Sequence, residues 1–164
     1  MESLRTLVLV IATLSMGLMA GAFALYAHTI MPGLGRVDDR TFQSAFVALD
    51  RAIINAWFLG GGFVGALVFA LLAAIVHHER KALPLVVAAL VLYAIAFVVT
   101  IVVHLPLNDA LKAAGNPGSI AELAAVRRAF NEPRWVTWNL VRVATTTLAF
   151  ALLTWALVVH GESS

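Results

Sequence analysis

Four runs of the chain carry no Asp, Glu, Lys or Arg: Thr6–Tyr26, Ala52–Val76, Ala82–Val103 and Val143–Val159. A helix needs about 20 apolar residues to cross the hydrocarbon core of a bilayer. The first three runs reach that length, and the last reaches it when extended back through Val136–Arg142. The pattern predicts an all-α fold, a four-helix transmembrane bundle with helices at about 4–30, 52–76, 82–105 and 135–159. Residues 1–164 then form a single integral membrane domain with two long loops on one side. Thr6–Tyr26 is too long for a signal-peptide core and is read as a retained first helix.

The loops carry their own signals. His77–Lys81 is a short connection. The first long loop opens on Met31-Pro32-Gly33-Leu34-Gly35, a turn or helix stop. Thr41–Asn55 comes next with helical periodicity, placing Phe42, Phe46, Leu49 and Ile53 on an apolar face and Gln43, Asp50 and Arg51 among the polar positions. It predicts an interfacial helix leading into the second span. In the second long loop Pro106 is expected to end or kink the third helix, and Gly115–Gly118 to form a turn. Ser119, with Glu122 three residues on, predicts a capped helix to about Phe130. Glu132-Pro133 is expected to break it before the last span starts at Trp135.

Composition agrees with a membrane solvent. The chain is 62% hydrophobic and 12% charged, more apolar surface than a water-soluble domain of this size can bury. There is no basic run of the kind that binds nucleic acid. The absence of cysteine excludes disulfides, thiolate catalysis and Cys-ligated metals. Arg36, Arg40, Arg51, Lys112, Arg127, Arg128 and Arg134 lie on the long-loop side, against Arg5, Arg80 and Lys81 on the other. The positive-inside rule therefore predicts cytoplasmic long loops. Gly17 and Gly21, like Gly61 and Gly65, form small-xxx-small pairs, suited to close packing inside the bundle or to a homo-oligomer face.

Polar residues that intrude on the spans gather at one end. Tyr26, His28, Asn55, His104, Asn108, Asn139 and Arg142 fall at about one depth, at the mouth fed by the long loops. His77, His78 and His160 lie at the opposite mouth and are read as solvated. Trp135, Trp138, Asn139 and Arg142 share one helical face. Arg142 has two readings: an arginine snorkelling beside a tryptophan belt, or a buried cation bonded to Asn139, Asn108 or Asn55 and facing a ligand. His28 and His104 could ligate a metal or haem, or one could act as a base. No carboxylate lies within the spans to complete a ligand set, and Asp50 and Asp109 are the nearest.

The blocks Met31-Pro32-Gly33-Leu34, Asn55-Ala56-Trp57-Phe58, Pro106-Leu107-Asn108 and Trp138-Asn139-Leu140-Val141-Arg142 together resemble the anthrone oxygenase-like family over almost the whole chain. These are small four-helix membrane proteins, mostly bacterial, so the resemblance implies a multi-pass protein of the bacterial inner membrane. Fungal members are assigned as oxygenases that convert a polyketide anthrone to an anthraquinone. The chain departs from the family pattern at Ala56, where proline is usual, at His104, where asparagine is usual, and at His28, where a small or apolar residue is usual.

The resemblance implies a membrane oxidoreductase of the monooxygenase type, acting with oxygen on a lipophilic aromatic or phenolic substrate and needing no organic cofactor. Ionisation of such a substrate calls for a base, His104 or His28, and a cation, Arg142. Tyr26, Asn55, Asn108 and Asn139 would bind and orient the substrate, and Trp57 and Trp138 would stack on it. Two other readings compete: a non-enzymatic bundle that binds a lipid or small molecule or serves as an accessory subunit, and a haem or metal redox protein using His28 and His104. Under every reading the bilayer is a partner.

Overall fold

The computed structural model describes residues 2–78, 81–115 and 117–162. Glu79, Arg80 and Asn116, from the predicted short loop and turn, lie outside the described residues.

The chain is all helical, and four helices are long and apolar enough to cross a membrane. The first span runs through α1 (Glu2–Leu25), a π-helical segment (Tyr26–Ile30) and α2 (Met31–Leu34). After α3 (Asp39–Ile53), the second span joins a π segment (Trp57–Phe63) to α4 (Val64–Val76). The third joins α5 (Leu83–Val99), a π segment (Thr100–His104) and α6 (Leu105–Ala113). A short α7 (Ile120–Phe130) precedes the last long helix, α8 (Glu132–Glu162). Each of α1, α4 and α5 packs on the next, and α8 closes the ring against both α5 and α1.

Small side chains set the spacing. Ala12, Ala66, Ala70, Ala73, Ala89, Ala149 and Ala156 are fully buried around Leu9, Met16, Tyr93 and Leu153. Lipid supplies no hydrophobic force between helices, so this close approach gains dispersion contact instead. Gly17 sits under the Phe150 ring, where a Cβ would come within 2.9 Å of it. Gly62 sits under Met19, whose Cε would lie 2.5 Å from a Cβ there. Gly21 and Gly61 face nothing within 4 Å.

A second apolar cluster closes the long-loop end. Met31, Phe42, Phe46, Leu111, Phe130 and Trp135 are buried together where α3, α6 and α7 meet α8. Asp38 caps α3 by accepting from the amides of Arg40 and Thr41. The Thr41 hydroxyl, with those amides, holds the Asp38 carboxyl below the usual carboxylate range. Arg127 ties the first long loop to α7: it bonds the Val37 carbonyl, pairs with Asp39 at 3.0 Å and Glu132 at 3.2 Å, and stacks over Phe42.

Several boundaries differ from the sequence expectation. Pro106 does not end the third helix. It falls in the first turn of α6, where a missing N–H costs least. Pro133 likewise lies in the first turn of α8, and the true break is Asn131, held in the left-handed region at φ 54°. The first span runs past the expected end near residue 30 and stops at Gly35, within the Met31–Gly35 motif read as a turn or helix stop. The Ser119–Glu122 capping box forms, and α7 ends at Phe130 as the pattern predicts.

The opposite mouth also corrects the reading. His78 is exposed, but His77 is fully buried and His160 nearly so, their rings 5.0 Å apart. Arg5 caps α4 through the Val76 carbonyl at 2.7 Å, and Thr6 bonds His160 at 2.9 Å. Both histidines are thus buried among neighbouring helices rather than solvated. Burial lowers the His77 pKa from its ordinary value.

Candidate functional site

Three of the long spans pass through a π turn, and each of these turns helps to wall one cavity. Tyr26 comes from the first, Phe58, Leu59 and Phe63 from the second, Thr100 and His104 from the third. Two of the turns have a local cause. Tyr26–Ile30 ends two residues before Pro32, and Thr100–His104 ends two before Pro106. A proline ring inside a helix clashes with the carbonyl four residues back. Widening the turn relieves this: the Met31 amide bonds the Tyr26 carbonyl and the Leu105 amide bonds the Thr100 carbonyl, each five residues back. The segment at Trp57–Phe63 contains Gly60-Gly61-Gly62 instead. There the Gly65 Cα approaches the Gly60 carbonyl oxygen so closely that a Cβ would collide with it. Such π insertions are frequent at functional sites.

The cavity has a volume of about 220 Å³. Phe23, Phe46, Phe58 and Phe63 make its walls aromatic. Ile54, Leu59 and Leu105 line it and are also exposed on the outer surface, so its rim is apolar.

Arg142 forms one wall. Only 5% of it is exposed, which settles the sequence alternatives in favour of a buried cation. Its Nη2 donates to Asn139 Oδ1 at 2.7 Å and its Nη1 to Thr100 Oγ1 at 3.2 Å. The guanidinium stacks 4.3 Å over Phe23 and lies 5.4 Å from the Trp135 ring. Its Nε is buried without a hydrogen-bond partner. Among the described residues no carboxylate lies within ion-pair distance of it. A bare charge at membrane depth is costly, by roughly 2.5–3.5 kcal/mol even on the lenient insertion scale. The neutral acceptors and aromatic faces offset part of that cost.

Asp50 forms another wall. It is 7% exposed. Asn108 Nδ2 donates to its Oδ1 at 2.7 Å, and Lys112 pairs with its Oδ2 at 2.8 Å. Asn108 is itself oriented by Trp135, whose indole N–H donates to Asn108 Oδ1 at 2.9 Å. Sequence periodicity places Asp50 among the polar loop positions, and the structure corrects this. The stripe of α3 that turns inward is Phe42, Gln43, Phe46 and Asp50, while Leu49 faces out.

Of the residues expected from sequence, Tyr26, His104, Asn108 and Arg142 line the cavity, and Asn139 stands buried behind Arg142. The other candidates lie elsewhere. His28 is exposed and bonds the Thr29 hydroxyl. Asn55 is exposed and accepts from the Phe58 amide, a local cap at the start of the second span. Trp57 is 67% exposed and Trp138 38% exposed, so neither stacks in the cavity. His104 is buried, edge-on to Trp135, with its ring nitrogens each 3.3 Å from a carbonyl, Nδ1 from Val99 and Nε2 from Trp135. Among the described residues no group of three or more His, Cys, Asp or Glu converges as a metal site.

A family model described as anthrone oxygenase matches residues 52–152, more than half of the chain. The chain belongs to the anthrone oxygenase family. No curated protein and no solved structure matches it. The matched segment of this anthrone oxygenase family member includes Thr100, His104, Asn108, Trp135, Asn139 and Arg142. It leaves out Phe23, Tyr26, Phe46 and Asp50, which complete the same cavity.

Proposed function

We propose that the protein oxidises a lipophilic aromatic ketone or phenol with molecular oxygen in this cavity, without an organic cofactor. The observation that carries the reading is Arg142: a buried cation with no carboxylate partner among the described residues, on the wall of an aromatic cavity. Such a group waits for negative charge on a ligand. A substrate like an anthrone supplies it when a methylene C–H gives up its proton and the electron pair delocalises onto the carbonyl oxygen. A guanidinium fixed beside that oxygen stabilises the anion more than the neutral ketone, which lowers the barrier to ionisation. The anion then passes one electron to oxygen, and the radical pair joins in a C–O bond. The peroxide anion takes back the proton the methylene released, and the hydroperoxide then loses water, with the second methylene hydrogen, to leave a new carbonyl, so CH₂ and O₂ become C=O and H₂O.

The cavity supports the substrate class as well. Four phenylalanine rings and an apolar rim favour a flat, membrane-soluble molecule. His104, with both nitrogens against carbonyls, serves in this scheme as a packed support for Trp135 rather than as the reacting base.

Oxygen uptake by the purified protein with anthrone tests the reading. Arg142→Ala should lower the rate by about 10²–10³-fold, as loss of a single oxyanion donor does. A wild-type protein that binds phenolic compounds yet consumes no oxygen with any of them would favour the binding-protein alternative instead.

A further inference from the structure

We infer that Asp50 is the group that takes the substrate's C–H proton, held for that task by Asn108 and Lys112 in the cavity that Arg142 also lines. The inference deepens the oxygenase reading and takes its substrate class from it.

Asp50 is the one carboxylate among the described residues that line the cavity. Asn108 fixes its Oδ1 at 2.7 Å, and Lys112 Nζ stands 2.8 Å from Oδ2 as an ion-pair partner outside hydrogen-bond geometry. A carboxylate offers about four lone-pair directions, so these partners orient it and leave capacity to accept a proton. The histidines do not compete: His28 is outside the cavity, and both ring nitrogens of His104 point at carbonyl oxygens, one donating and the other with its lone pair turned to a carbonyl.

Separation of the charges gives the strongest support. Asp50 and Arg142 line one small cavity but form no ion pair. The Trp135 indole stands between their supports: its N–H reaches Asn108, which holds Asp50, while its ring lies 5.4 Å from the Arg142 guanidinium. A direct ion pair between them would occupy the very faces of the carboxylate and the guanidinium that a substrate has to meet, whereas Lys112, the cation that does pair with Asp50, is not among the cavity-lining residues. Kept apart, they suit a substrate that loses a proton at one edge and gains charge at the other. In an anthrone the acidic methylene and the carbonyl lie opposite each other across one ring. A carboxylate base facing an oxyanion stabiliser is a working arrangement for proton removal beside a ketone. In the step, the C–H bond breaks, its proton forms an O–H bond on Asp50, and the electron pair stays on the substrate as the enolate.

Proton abstraction can be read without oxidation. Anthrone is incubated anaerobically in D₂O with the full-length protein in nanodiscs, and deuterium entering its methylene is monitored by NMR above the protein-free rate. Wild type should accelerate exchange. Asp50→Asn should cut the acceleration by about 10²–10⁴-fold, leave only exchange that rises with hydroxide, and still bind anthraquinone as measured by tryptophan quenching. Asp50→Glu should restore part of the rate. If Asp50→Asn loses its helical circular dichroism, Asp50→Ala takes its place, with exchange recovering in proportion to added formate.

Exchange at the wild-type rate in Asp50→Asn would overturn the inference, as would absence of exchange in wild type. Wild-type oxygen uptake that survives Asp50→Asn sinks Asp50 and spares the oxygenase. Exchange that depends on Asp50 without any oxygen uptake supports Asp50 and sinks the oxygenase.

Discussion

Asn139 holds Arg142 in place from behind: its Oδ1 accepts from Arg142 Nη2 at 2.7 Å, and its own Nδ2 donates to the Phe23 carbonyl at 3.1 Å. One amide thereby links α8 to α1 at the depth where the cation sits. The amide is neutral, so it satisfies a donor without cancelling the charge. Replacing it with leucine should leave Arg142 short of an acceptor and destabilise the bundle by about 1.5–3 kcal/mol, the usual worth of a hydrogen bond to a charged group. Thermal unfolding of Asn139→Leu in detergent, compared with wild type, measures this.

Asn139→Asp separates charge from geometry. The new carboxylate keeps the shape and the acceptor, loses the donor to the Phe23 carbonyl and neutralises the guanidinium. In thermal stability the new ion pair should offset the lost bond to Phe23, while anthrone turnover falls by at least an order of magnitude because Arg142 no longer seeks an anion. Equal turnover in Asn139→Asp and wild type would remove Arg142's charge from the mechanism.

Tyr93 offers a test of the π turns. Its hydroxyl, fully buried, donates to the Phe63 carbonyl at 2.7 Å, the last residue of the Trp57–Phe63 segment. Hydrogen bonds between membrane helices contribute about 0.6 kcal/mol on average and up to about 1.7. Tyr93→Phe should lower stability within that range. Because Phe63 lines the cavity, ligand affinity should weaken as well, measured by anthraquinone titration.

At the other mouth, acid should weaken the bundle. Burial depresses the His77 pKa in the folded protein, whereas unfolded histidine titrates near 6.5. The unfolded state therefore binds the proton more readily. The stabilisation is fully present above about pH 6.5 and is lost as pH falls through the lower, folded value. His160 and Arg5, which face His77, add to the cost of protonation, and Glu2 opposes it. Unfolding temperature measured from pH 7.5 down to 5 should fall, and His77→Gln should flatten the slope.

Much of this arrangement is legible in the sequence, and the exceptions share physical causes. Trp135, Asn139 and Arg142 recur at helical spacing inside an uninterrupted α8, so their common buried face can be read directly, although Trp138, expected on the same face, turns out of it. The Ser119 cap is equally plain, because its partner Glu122 is local. His28 is singled out by its depth along a span and Trp57 by its place in a family block, and neither signal says which way a side chain points; both turn outward from their π segments. Asp50 escapes for another reason. Two stripes on α3 share Phe42 and Phe46, and only packing on α6 and α7 decides that Asp50 turns in while Leu49 turns out.

The rim made by Ile54, Leu59 and Leu105 bears on how the protein should be assayed. For the oxygenase proposed above, a rim of exposed aliphatic side chains between membrane-crossing helices would admit solute dissolved among acyl chains rather than solute in the buffer. Turnover should then track the mole fraction of substrate in the lipid. Adding empty vesicles at constant total substrate should slow the reaction by dilution within the membrane, and a KM expressed per volume of water would vary from one preparation to the next.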